Sequence, residues 1–344
     1  MSKPIILTGL RANGTFHIGN YLGGIQPMVQ LQQQYAGEYQ INMFVPDLHS
    51  FTTPIDHAKL FRNTLNNLKM YMAAGLDIHN QDTFIYRQSY VPAHSELAWI
   101  LDCFAYFGEI SRMTQFKEKS EGQANVSVGL FNYPVLMAAD ILAYGAKWVP
   151  LGDDQKQHLE LTRDLGERIN NKFGKELLSV PEPWEKQMEF ASREVSVRVR
   201  SLVDPQKKMS KSVSDPRGTI DLTDDPAAAA KKVMSATTDS FGEIHFDFTE
   251  RPGISNLLHI LALLSNRPQN EVNSEWEGRT SYGELKSAVA EKVQAFLTEL
   301  QERFAAVDEI ALMAKLEESE EQMCETTAAT LYRVQQAVGL RPQE

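Results

Sequence analysis

The chain has 344 residues, 42% hydrophobic and 23% charged, the composition of an ordinary globular protein of two domains, or one with an appendage. A net charge of −11 argues against a protein that coats nucleic acid indiscriminately, and Cys103 and Cys324 are too few and too far apart for a disulfide framework or a thiolate metal site. The best apolar runs are broken by Asp140 and His259 and the start has no signal-peptide layout, so a cytoplasmic protein away from membranes is expected.

The first element is a strand, Ile5–Thr8. It enters the turn Thr8-Gly9-Leu10-Arg11-Ala12-Asn13-Gly14-Thr15-Phe16-His17-Ile18-Gly19-Asn20. Glycines at 9, 14 and 19 permit close backbone approach, the helix that follows offers unpaired N–H groups to phosphate, and His17 and Asn20 are candidate donors. On its own, the segment fits a plain strand-to-helix turn equally well. Tyr21, Leu22, Ile25, Met28 and Val29 then recur at helical spacing. Further strands are expected at Ile41–Val45, Thr83–Tyr86 and Trp148–Leu151. Pro134 suits the first position of an apolar helix whose one charge is Asp140, a carboxylate costly to bury unless paired. A purely structural pairing would read the same way. Leu161, Leu165 and Ile169 mark another helix. This alternation predicts an α/β fold, a Rossmann-like doubly wound parallel sheet over residues 1–203, with ligands at the carboxyl ends of its strands.

A strand over Val195–Val203 leads into a loop, 204–220, bounded by Asp204-Pro205 and Asp215-Pro216. From Arg193 to Arg217 the basic residues Arg193, Arg198, Arg200, Lys207, Lys208, Lys211 and Arg217 face only Glu194, Asp204 and Asp215. Within this stripe, Lys208-Met209-Ser210-Lys211-Ser212 places two ammonium groups and two hydroxyls on a short polar segment. It reads either as a solvated loop or as a lid that stabilises charge on departing phosphate. Beyond 221, strand signals nearly vanish. Asp225-Pro226 opens a helix, Ile254–Leu264 and Leu285–Val307 are helical, and Gly339 is a helix stop. The region 221–344 is therefore read as all-helical and acidic.

The two motifs, in this order and at this separation, resemble the signatures of class I aminoacyl-tRNA synthetases. His17-Ile18-Gly19-Asn20 is similar to the H-I-G-H element, and Lys208–Ser212 is the K-M-S-K-S element intact. Arg112–Ser120, Tyr133–Leu142, Gly152–His158 and Ser201–Pro205 resemble the tryptophanyl-tRNA synthetases in particular, and the likeness runs over nearly the whole chain.

The resemblance implies a ligase that activates L-tryptophan with ATP and loads it onto tRNA(Trp), releasing AMP and pyrophosphate. Catalytic roles are implied for His17, Lys119, Lys208, Ser210 and Lys211. Arg11, Ala12, Asn13, Gly19, Asn20, Gly152, Asp153, Asp154, Val199 and Lys208–Ser212 (Met209 and Ser212 included) match ATP contacts, Val199 through its backbone. Asp140 matches the acceptor of the indole N–H, with Met137 one turn away on the same face. Tyr133 and Gln155 match holders of the α-amino group, and Gly9 and His49 match further pocket positions. Mg²⁺ would come with ATP and no cofactor would be held by the protein. The resemblance also implies a homodimer, the region after 221 holding the tRNA anticodon, and no DNA partner. The chain departs from the family pattern at Arg11-Ala12-Asn13, where Q-P-S is usual, and at Pro46 and Leu48. The readings that remain beside this one are a tyrosine-type synthetase, a small nucleotidyltransferase, and a non-catalytic paralogue that binds nucleotide or RNA.

Overall fold

The computed structural model describes residues 3–122, 124–190, 198–210 and 215–342. Three parallel strands form the sheet in the order β1 (Ile5–Gly9), β2 (Gln40–Val45), β3 (Thr83–Arg87). Each lies within a residue or two of its expected place, because short β-branched and aromatic runs bounded by turns are unambiguous. The segment expected as a fourth strand is reduced to a single parallel bridge, Ile6 to Trp148, on the other side of β1. Its backbone turns away at Pro150, which has no N–H to continue a ladder. The expected strand over 195–203 is likewise, in its described part, one antiparallel bridge from Arg200 to Lys208.

Alternate residues of the strands face opposite ways, and both faces are covered. Ile41, Met43, Val45 and Ile85 pack on Met28 and Val29 of the helix Gln26–Tyr35 and on Leu65 and Leu68 of the helix Leu60–Ala73. Leu7, Phe44 and Tyr86 pack with residues of the helices Ala93–Asp102, Val128–Leu142 and Lys156–Phe173. After β3 the chain crosses to the far side of β1. The strand order therefore reverses between β1 and the Trp148 segment, and a doubly wound sheet takes its ligands outside the strand ends at that reversal.

Two helices differ from expectation. The helix expected from Tyr21 begins as a π-helical turn, Tyr21–Ile25, in which the Gln26 N–H bonds the Tyr21 carbonyl. Pro27 has no N–H to give the carbonyl four residues back, and the wider turn accommodates it. Pro134 does not open its helix. It lies inside Val128–Leu142, which starts behind Ser127, whose hydroxyl accepts the Leu130 N–H at 3.1 Å. A true side-chain cap at Ser127 outweighs the preference of proline for a first turn.

The helices after 221 are as expected. Asp225 caps Pro226–Met234 through the Ala228 N–H at 2.8 Å, and Gly339 takes a positive φ of 86° after Glu309–Ala337. One hydrophobic core nevertheless runs from the sheet, through Leu10 and Ile18, into Ile220, Leu257, Leu285 and Leu316. The Glu309–Ala337 helix returns to lie along the outer edge of β3. There the Ser319 hydroxyl accepts the Ile85 N–H at 3.2 Å, and Glu320 accepts the Arg87 N–H at 3.1 Å. Glu320 also takes the Arg87 guanidinium with both oxygens, at 2.6 and 2.8 Å, and both side chains are buried. The sheet edge is thus closed by side chains in place of another strand. Glu320→Ala is expected to cost about 3–5 kcal/mol in urea unfolding, because it strands a buried guanidinium. Adding Arg87→Met should recover part of that loss.

Among the described residues no helix is long and apolar enough to cross a membrane.

Candidate active site

A cavity of about 900 Å³ opens at the point where the strand order reverses. Its walls include Leu7, Thr8 and Gly9 from β1 and Val149–Gly152 from the segment beside it. A Cβ on Gly9 would reach Phe44 at 3.6 Å and Pro46 at 3.9 Å, so glycine keeps this wall thin. His49, Lys119, Tyr133, Met137, Asp140 and Gln155 line it too, as do Met28 and Leu31 of the helix Gln26–Tyr35 and, further along the chain, Met188 and Phe190. Sequence reasoning had placed the amino-acid set Gly9, His49, Tyr133, Met137, Asp140 and Gln155 together, and the fold brings all of them to one cavity.

Asp140 is wholly buried on the Val128–Leu142 helix, and three donors converge on it. Gln88 Nε2 reaches Oδ1 at 2.7 Å, His94 Nδ1 reaches the same oxygen at 2.6 Å, and His49 Nε2 reaches Oδ2 at 2.7 Å. Burial alone would raise its pKa, but the hydrogen bonds and charge of the two imidazoles outweigh that and hold it at about 2. The carboxylate is ionised at neutral pH and only accepts, so both imidazole nitrogens facing it carry protons.

On the same helix, the Tyr133 hydroxyl meets His158 Nε2 at 2.8 Å, and the Lys119 ammonium lies 4.8 Å from the centre of the Tyr133 ring. Burial, then Asp154, push the Tyr133 phenol up to about 12. Burial, then repulsion by Lys119, push His158 down to about 4. Its folded pKa lies below the unfolded value of about 6.5, so the unfolded chain binds the extra proton. Stability is therefore expected to fall by about 3 kcal/mol as pH drops from about 6.5 to 4, a window above the protonation of Asp140. Urea melts across that range should show a shallower fall for His158→Gln. Equal slopes would remove His158 from the account.

Of the ATP set, Gly152 lines the cavity, and the other described residues are placed by contacts of their own. His17 caps the turn that follows it: Nδ1 accepts the Asn20 N–H and the Asn20 side chain accepts the His17 N–H, both at 3.2 Å. The Ile18 N–H bonds Ile220, His17 bridges Asp221, and a Cβ on Gly19 would lie 3.4 Å from Val199. The two signature regions therefore meet. Arg11 is pinned by Nε to the Asn13 carbonyl at 2.8 Å, while Thr64 and Asn67 hold the Ala12 and Arg11 carbonyls. Ala12, Val199 and Met209 bury their side chains, so they can offer a ligand only backbone. Gly152 makes room for Asp154, whose carboxylate would lie 2.8 Å from a Cβ there and accepts from Gln155. Asp153 begins the short turn Asp153–Gln155. Lys208 is exposed and Ser210 half-buried. Lys211, Ser212 and Arg193 lie outside the described residues. Within the basic stripe, Lys207 and Arg217 pair with Asp204 and Asp215, and Arg200 lies over Phe248.

Sequence reasoning missed Gln88, His94 and Tyr144, and gave His158 no role. Gln88 follows directly on the carboxyl end of β3, the position from which this architecture draws ligand-binding groups, and that rule would have found it.

A nucleotide-sized cavity at the reversal of a doubly wound sheet, with the first signature packed on Val199, Ile220 and Asp221 on either side of the lysine string, is the arrangement of a class I synthetase. Known proteins agree. Residues 1–298 match the family model for class I tRNA synthetases (W and Y). A tryptophan–tRNA ligase from Caldanaerobacter subterraneus subsp. tengcongensis is 45% identical over 335 residues, 97% of this chain and 98% of that one. The crystal structure of tryptophanyl-tRNA synthetase from Mycoplasma pneumoniae superposes with a TM-score of 0.81 at 36% identity, covering 99% of each chain. That from Campylobacter jejuni, complexed with ADP and tryptophan, gives 0.77 at 31% identity over 97% of this chain and 99% of its own. The chain belongs to the class I tRNA synthetases of the tryptophan and tyrosine type, and within them to the tryptophan–tRNA ligases.

Proposed function

We propose that the chain activates L-tryptophan with ATP to tryptophanyl-adenylate, transfers it to tRNA(Trp), and releases AMP and pyrophosphate, with the residues above in the following roles. The observation that carries this reading is Asp140, an ionised carboxylate buried in the wall of a cavity large enough for an indole and an adenylate. Such a group accepts the indole N–H and rejects rings without a donor, because an unmet buried carboxylate is costly. Met137 packs on the ring. Tyr133 and Gln155 hold the α-amino group, and Gly9 and His49 shape the pocket.

ATP lies against Arg11–Asn13, Gly19, Asn20, Gly152–Asp154 and the Val199 backbone. The tryptophan carboxylate attacks the α-phosphorus in line and pyrophosphate leaves. Lys208 and Lys211, with Ser210 and Ser212, stabilise the charge that develops, Lys119 serves the pyrophosphate side, and His17 holds the first signature in place. Mg²⁺ would enter on the phosphates and neutralise part of their charge. The terminal ribose hydroxyl of tRNA then attacks the adenylate, and the helices after 221 hold the anticodon. Exposed Trp99, Phe107 and Val128 favour a homodimer, and a cytoplasmic location belongs to the same reading.

Amino-acid-dependent exchange of pyrophosphate into ATP, run across the twenty amino acids, tests the reading. Exchange with tryptophan far above the rest is expected. Exchange with tyrosine would favour the other branch of the family, and none at all a non-catalytic binder.

A further inference from the structure

We propose that Gln88 and His94, which line no part of the cavity, are positioning residues that set selectivity for the indole by filling one oxygen of Asp140 and so leaving a single acceptor site facing the substrate. The inference rests on the reading of Asp140 as the indole acceptor.

Each carboxylate oxygen offers two acceptor positions. Oδ1 receives Gln88 at 2.7 Å and His94 at 2.6 Å, which fills it. Oδ2 receives His49 at 2.7 Å, which leaves one position, on a residue that lines the cavity. The donors are themselves held from behind. His94 is wholly buried, and its Nε2 meets the Tyr144 hydroxyl at 2.7 Å. With Nδ1 donating to the carboxylate, the hydrogen bond between Nε2 and the Tyr144 hydroxyl holds the ring from its other end. Gln88, also wholly buried, accepts the Leu48 N–H on Oε1 at 3.2 Å, so its amide cannot flip and its NH₂ must face Asp140. Through Leu48 the same glutamine steadies the turn Leu48–Thr52 that carries His49. Four residues from three segments thus fix both the rotation of the carboxylate and the place of its remaining lone pair. A second open position would admit water or a phenol hydroxyl, and the site would then be a poorer judge of an indole N–H.

The test compares tryptophan with benzothienylalanine, the isostere whose ring sulfur replaces the N–H, in pyrophosphate exchange by the full-length protein. Wild type is measured first. If it does not prefer tryptophan, the indole reading of Asp140 fails and this proposal with it. If it does, His94→Phe is expected to lower the preference by about tenfold or more, through the KM for tryptophan, while kcat and the KM for ATP stay near wild type. His94→Asn, whose amide nitrogen falls near the place of Nδ1, should restore most of it. Tyr144→Phe removes only the hydroxyl behind the ring and should lower the preference by about threefold. It carries the test should His94→Phe not fold. A preference unchanged in Tyr144→Phe and in a folded His94 variant, whatever the melting temperature, would overturn the proposal and leave the cluster a purely structural one.

Discussion

Asp140→Asn is expected to raise the KM for tryptophan by about a hundredfold or more while leaving the KM for ATP within about threefold of wild type. The substitution keeps the size of the side chain and removes its charge. An amide offers one acceptor oxygen and two donor hydrogens, whereas Gln88, His94 and His49 all donate toward this position. At least one of them must then face an N–H, and each unmet buried donor costs about 1–3 kcal/mol. The side chain will turn its oxygen toward these protein donors, which are always present, and its NH₂ toward the cavity. The indole N–H would then meet a donor. Pyrophosphate exchange measured with tryptophan, phenylalanine and tyrosine reads this as a loss of discrimination, and a melting curve separates it from unfolding. Discrimination equal to wild type would remove Asp140 from the recognition of the ring.

The second large effect concerns rate. Lys208→Ala is expected to lower kcat for adenylate formation by about two to three orders of magnitude, with the KM values for ATP and tryptophan nearly unchanged. The backbone beside Lys208 is anchored: the Met209 N–H bonds Val199 at 3.0 Å, the Ser201 N–H bonds Lys207 at 2.9 Å, and Met209 is buried in the core. The Lys208 side chain projects from this anchored stem into solvent. An ammonium so placed contributes little until phosphate charge develops in front of it, so its loss falls on the transition state and not on ground-state binding. Stability should be untouched, since an exposed lysine contributes little to folding. Lys211→Ala is expected to behave alike by its place in the motif. Single-turnover adenylate formation at the normal rate in both variants would mean that the loop string is present without its role.

Much of this was legible in the residues. Ile41–Val45 and Thr83–Tyr86 are short and, but for Asn42 and Thr83, apolar, so they announce buried parallel strands. The two signatures are local strings, and the fold had only to bring them together. What escaped notice were polar residues whose partners are distant in the chain. Ser319 and Glu320 share the buried stripe of Leu312, Leu316 and Met323 at helical spacing, but a hydroxyl and a carboxylate there read only as a break in that stripe. Their partners are the N–H groups of Ile85 and Arg87, more than two hundred residues earlier. His94 has the same character: on a helix it reads as an ordinary polar residue until Asp140 and Tyr144 are seen on either side of its ring. The Trp148 segment failed for a local reason, because Pro150 ends its pairing after one bridge.

The closure of β3 by the Glu309–Ala337 helix bears on how the protein is made. A nascent chain emerges from its amino end, and the strands and the lining of the amino-acid cavity are all out of the ribosome well before residue 309. Until that helix arrives, the N–H groups of Ile85 and Arg87 are open to any extended chain nearby, and the Arg87 guanidinium has no counter-ion from Glu320. The catalytic half must therefore wait, nearly assembled, for the most carboxyl-terminal helix. Ribosomes stalled between residues 250 and 300 should display a protease-sensitive β3, and full-length chains should not.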